Sequence, residues 1–122
     1  MQYDDRPLTP MDIEVRLHDL SNALTDAHAD LSDAEYAYQN SKVALEVAMA
    51  RSRIKYGGAE GRRMTVQEKE DMAVVDNEVV MQAHAVDIGV IRACRANVDR
   101  LKVQIDVARS QGSLIRSAIG MG

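Results

Sequence analysis

Chemistry in this chain would have to come from few side chains. There are three histidines, His18, His28 and His84, and one cysteine, Cys94. His84 and Asp87 stand three apart, a spacing that puts both on one helical face and could supply half of a metal site. Nothing else completes such a site, so they are read as solvated helix-surface residues. His28 and Asp30 do not share a face. Cys94 falls on an apolar seam, where a small buried hydrophobe is expected rather than a reactive thiol. The sequence holds no nucleophile elbow, P-loop, dinucleotide fingerprint or metal-spaced Cys/His set. The chain is therefore read as a non-enzyme, with no catalytic residue, no metal ligand and no cofactor.

A basic cluster remains: Arg51, Arg53, Lys55, Arg62 and Arg63, with Tyr56 among them and glycines beside. Cations neutralise phosphate, tyrosine stacks on an unpaired base, and glycine backbone lets a strand come close. The competing reading pairs Arg51 and Arg53 with the acidic run from Glu68 to Asp76 and leaves Arg62 and Arg63 solvated.

Helices must position these residues. The 122 residues make one domain, 46% hydrophobic, without Trp or Phe. Its apolar content is mostly small, with 16 Ala and 13 Val against 8 Leu and 7 Ile, which suits close helix contact better than a deep interior. Thr9-Pro10-Met11-Asp12 is a helix start, with an N-cap Thr, Pro at the first position and a carboxylate at the third. Ile13, Leu17, Leu20, Leu24, Ala27, Leu31, Ala34, Tyr38, Ser41, Leu45, Ala48 and Ser52 then alternate steps of four and three, the period of a coiled-coil seam. This predicts one helix over about residues 10–55, a glycine turn over 57–61, and a second helix over about 66–110 opened by the Thr65/Glu68 capping box. The second seam is predicted at Met72, Val75, Val79, Ala83, Val86, Val90, Cys94, Val98, Leu101, Ile105 and Ala108. Gly89 is read as the mark of a close helix crossing rather than a hinge. A break at Gln111-Gly112-Ser113 sets off a short C-terminal helix over 113–119.

The fold class is thus all-α: a long antiparallel helical hairpin with a short C-terminal helix. Charge blocks agree. Residues 1–40 carry −7, 41–63 carry +4, 64–90 carry −5 and 91–122 carry +4. A hairpin brings opposite blocks together, with Glu68, Glu70, Asp71, Asp76 and Glu78 near Lys42, Arg51 and Arg53. It also brings Arg92, Arg95, Arg100, Lys102 and Arg109 near the stretch from Asp12 to Asp30. Each exposed pair contributes only tenths of a kcal/mol, so the match selects register more than it stabilises.

Such a hairpin hides one stripe of each helix. Met49, Val43, Val47, Ile88, Ile91, Val103 and Val107 lie off the predicted seams and would be wet in a monomer. With Leu114, Ile115 and Ile119 of the C-terminal arm, they predict a homo-oligomer larger than a dimer. The single cysteine fits a reducing cytoplasm. The acidic start has no signal-peptide pattern, and no apolar run is long enough to span a membrane.

The stretch from Lys42 through Arg51-Ser52-Arg53-Ile54-Lys55-Tyr56-Gly57-Gly58, followed by Met64-Thr65, Glu68-Lys69-Glu70 and Asp76, resembles the phage recombination mediator proteins of the UvsY type. The resemblance covers about residues 42–82. It implies a hairpin protomer in a ring-like homo-oligomer in the cytoplasm of an infected bacterial host. That assembly would bind single-stranded DNA through Arg51 and Arg53, contact a single-strand binding protein and help load a RecA-like recombinase. The alternatives are a phage structural or scaffolding coiled-coil protein, or a protein-binding inhibitor, neither touching nucleic acid.

Overall fold

The structure, a computed structural model, describes residues 7–58 and 64–120. It is all-helical over those residues, with no strand among them. Helix α1 runs Pro10–Gly57, α2 Val66–Asp76 and α3 Glu78–Gly120. Of the predicted turn, residues 59–61 lie outside the described residues, as do Arg62 and Arg63 of the basic cluster.

Both helix starts are built as expected. The Thr9 N–H donates to Asp12 Oδ2 at 2.8 Å, and the Asp12 N–H donates to Thr9 Oγ1 at 3.2 Å. Thr65, with φ −69° and ψ 163°, accepts from the Glu68 N–H at 3.0 Å, and Glu68 Oε2 accepts from the Thr65 N–H at 3.2 Å. Each arrangement satisfies donors that a helix start leaves open.

Two boundaries differ from the sequence reading. The second helix is interrupted at Asn77, where φ −112° and ψ 18° leave helical space. The Asn77 side-chain amide donates to the Ala73 carbonyl at 2.7 Å, and its backbone N–H is shared between the Ala73 and Val74 carbonyls, both at 3.2 Å. A side chain that competes for the backbone's own acceptor is a physical cause for the interruption. Conversely, no break occurs at 111–113, and α3 continues through the predicted short helix to Gly120. Gly112 is buried, and a Cβ placed on it would stand 3.1 Å from Ile13 Cγ2. Glycine is there for close approach, not for a turn.

The chain divides into two compact units, residues 1–30 with 94–122, and residues 31–93. The core of the first is Ile13, Ala27, Val98, Leu101, Ile105 and Ala108. In the second, Ala34, Ala73 and Ile91 are buried together with two polar residues, Ser52 and Asn77.

Every member of the predicted α1 seam is buried or half-buried. The second seam is right only from Cys94 to Ala108. Met72, Val75, Val79, Ala83, Val86 and Val90 are exposed, and the buried stripe runs instead through Asn77, Met81, His84, Ile88 and Ile91. Ile91, expected to be wet, is only 5% exposed, and Met49 and Ile88 are half-buried. Gly89 is exposed, and an added Cβ would meet nothing within 4 Å, so it marks no crossing inside the chain.

Candidate functional site

The described members of the basic cluster, Arg51, Arg53 and Lys55 with Tyr56, sit at the C-terminal end of α1, and α2 carboxylates meet three of them. Arg53 Nε lies 3.4 Å from Glu70 Oε1, and Lys55 Nζ lies 3.5 Å from Asp76 Oδ2. The Tyr56 hydroxyl donates to Asp76, and the Lys55 ammonium stands 5.0 Å from the centre of the Tyr56 ring. On α2, Glu70 and Asp76, six residues apart, meet α1 side chains two or three apart.

The electrostatics follow that geometry. The hydrogen bond to Tyr56 holds the Asp76 carboxyl below its usual range, helped by the Lys55 charge. The same bond raises the Tyr56 hydroxyl above its ordinary value. Lys55 is raised by its contact with Tyr56 and by the Asp76 charge. All three shifts favour a neutral phenol between a carboxylate and an ammonium.

Of the proposed DNA-binding residues, Arg53, Lys55 and Tyr56 are therefore engaged by carboxylates of their own chain. Arg51 is exposed and has no ion-pair partner among the described residues. The sequence allows both pairing and DNA contact for Arg51 and Arg53, and the structure divides them.

His84 is not a solvated surface residue. Its Nδ1 lies 2.8 Å from Ser41 Oγ, which is also 3.1 Å from the Tyr38 carbonyl, and its ring tilts 32° against Tyr38 with centres 5.2 Å apart. A second polar contact joins α1 to the α2–α3 junction, where Asn77 Nδ2 donates to Ser52 Oγ at 2.8 Å beside Met49 Sδ at 3.6 Å. Sequence reasoning missed both, although Ser41 and Ser52 on the α1 seam are a visible signal that polar partners are needed opposite. Among the described residues no group of three or more His, Cys, Asp or Glu could hold a metal ion. Cys94 is a half-buried free thiol.

The proposed oligomerisation residues separate into two groups. Val103, Val107, Leu114 and Ile119 are exposed, whereas Ile88 and Ile115 are half-buried and Ile91 belongs to the core. In the second unit Val43 and Val47 are exposed, as expected, whereas sequence reasoning missed the exposed stripe of Val79, Val86 and Val90, because it has the period of an inner seam. No helix among the described residues is long and apolar enough to cross a membrane. No protein-family model, no curated protein and no solved structure matches the chain.

Proposed function

We propose that the chain is a helical-hairpin scaffolding protein that acts by protein contact and assembles with copies of itself into a homo-oligomer larger than a dimer. The observation that carries this reading is the contrast between its charges and its apolar groups. Arg53, Lys55 and Tyr56 are answered by Glu70 and Asp76 of the same chain. Large apolar side chains such as Val79, Val103, Val107 and Leu114 are left in water. An exposed apolar surface on this scale is the mark of an interaction protein. The hairpin itself is supported by contacts that pair early α1 with late α3 (Ile13 with Gly112) and late α1 with early α3 or the Asn77 junction (Ser41 with His84, Ser52 with Asn77).

A second reading is favoured by Arg51, which is exposed and unpaired among the described residues. In that reading the chain is a recombination mediator. It binds single-stranded DNA at Arg51, Arg62 and Arg63, with Arg53, Lys55 and Tyr56 recruited from Glu70 and Asp76, and helps load a RecA-like recombinase onto strand covered by single-strand binding protein. Fluorescence anisotropy with a labelled single-stranded oligonucleotide, across a salt series and against a duplex of equal length, separates the two. The scaffolding reading expects no salt-dependent binding, together with a multimeric mass by light scattering. Binding that weakens steeply with salt, and whose salt slope flattens by about 0.7 for each phosphate that Arg51→Ala no longer neutralises, would replace it with the mediator reading.

A further inference from the structure

The second unit carries two apolar stripes that nothing within it covers. On α1, Tyr36, Val43, Val47, Ala50 and Ile54 keep heptad spacing, with Tyr36 73% and Ile54 77% exposed. On α3, Val79, Ala83, Val86, Val90 and Ala93 do the same, with Val79 78% and Val86 64% exposed. At about 100° per residue, each stripe is turned roughly 130–180° from the buried stripe of its own helix. In this unit each helix therefore turns one face to its partner helix and an apolar one to water.

We infer that the α1 stripe of one copy seats the α3 stripe of the next, a head-to-tail contact between unlike surfaces. This rests on the self-assembly proposed above and specifies its interface. Three observations support this pairing. The first is size. The α1 stripe is bulky, with Tyr36 and Ile54 at its ends, whereas the α3 stripe is Val and Ala with Gly89 beside it, open for 4 Å around an added Cβ. Large side chains fit against small ones, while an antiparallel α1 on α1 would set Tyr36 against Ile54 and a parallel α3 on α3 would leave alanines facing alanines.

The second is charge. Arg51 flanks the C-terminal end of the α1 stripe, and Glu78 flanks the N-terminal end of the α3 stripe. An antiparallel arrangement of the two helices brings them together, and a parallel one sets Arg51 near Arg92. The third is extent. Each stripe runs about 20–27 Å at 1.5 Å per residue. Each exposes on the order of 400 Å², so one contact buries about 800 Å², the size of a weak contact, which closure of a ring reinforces by giving every copy two. Unlike surfaces on opposite flanks leave one of each free after every addition, so the contact propagates until a ring closes or a filament grows.

The test uses two variants of the full chain, V47E/I54E on α1 and V86E/V90E on α3. All four positions are exposed, and circular dichroism at 222 nm verifies that both variants keep the parent helicity. Sedimentation velocity at micromolar concentration then reads the masses. The expected result is a parent larger than a dimer, each variant a monomer, and an equimolar mixture that forms a capped dimer of one copy of each, since each supplies the stripe the other lacks. A variant that keeps the parent mass, or a mixture that stays monomeric, overturns the head-to-tail contact while leaving self-assembly in place. A monomeric parent overturns both.

Discussion

Replacing Asn77 by Ala tests whether the polar contacts of the second unit hold α1 and α3 in register. Asn77 is 8% exposed, and its amide donates to Ser52 Oγ at 2.8 Å and to the Ala73 carbonyl at 2.7 Å. Removing the bond to Ser52 costs about 0.5–1.5 kcal/mol, and Ser52, 7% exposed, keeps a buried hydroxyl in need of a partner. Alanine returns up to about 0.7 kcal/mol of helix propensity, since it no longer competes for the Ala73 carbonyl and lets α2 run into α3. The net expectation is a destabilisation of about 0.5–1 kcal/mol. Asn77→Ala, Ser52→Ala and the double variant, unfolded in urea at one fixed chain concentration and followed at 222 nm, close a double-mutant cycle. The coupling expected for a working buried hydrogen bond is about 0.5–1.5 kcal/mol. Additive effects, with Asn77→Ala more stable than the parent by the full propensity gain, would refute the reasoning and leave Asn77 as a helix defect only.

The two glycines of α3 should respond oppositely to side chains. Gly89→Ala enters open space and should stabilise the chain by about 0.5–1 kcal/mol, whereas Gly112→Val, pressed against Ile13, should lower stability by about 1–3 kcal/mol, both read from urea midpoints. The Tyr56–Asp76–Lys55 cluster should be intact only at intermediate pH. Asp76, depressed below its usual 3.8, contributes stability above that value that is lost as acid protonates it. Tyr56 and Lys55, raised above 10.0 and 10.5, contribute below those values and lose it as base deprotonates them. Phenolate absorbance of the parent minus that of Tyr56→Phe should titrate above pH 10.0 and shift down in Asp76→Asn; a Tyr56 midpoint at or below the ordinary value contradicts the hydrogen bond.

The local signals of this fold are legible because they are short-range. The Thr9/Asp12 and Thr65/Glu68 boxes depend on residues three apart, and both form. The α1 seam is legible because its members, from Ile13 to Ser52, outcompete their neighbours in apolarity over most of the helix. The break expected at Gly112 does not form, because a glycine in sequence does not say whether its missing side chain serves a turn or a neighbour. Ile13, about a hundred residues away, decides it. The basic cluster is legible as a cluster, but which of its members are neutralised depends on where the packing of α2 places Glu70 and Asp76.

The seam expected over 72–90 fails for a reason that bears on function. Two stripes of the same period lie on opposite sides of that helix, and periodicity cannot say which faces the partner helix. Apolarity alone favours the valines. The structure turns Val79, Val86 and Val90 outward and places Asn77 and His84 inward, where Ser52 and Ser41 meet them. In an isolated chain that ordering is costly, because it leaves the more apolar face wet and buries the more polar one. It is the ordering expected when the outward face has a partner of its own and the inward face is read for register. A buried Asn–Ser or His–Ser contact is satisfied at one alignment of the two helices, whereas valines slide past valines at little cost. The inner seam of the second unit thus trades apolar burial for a fixed alignment, and that alignment sets where both outer stripes stand.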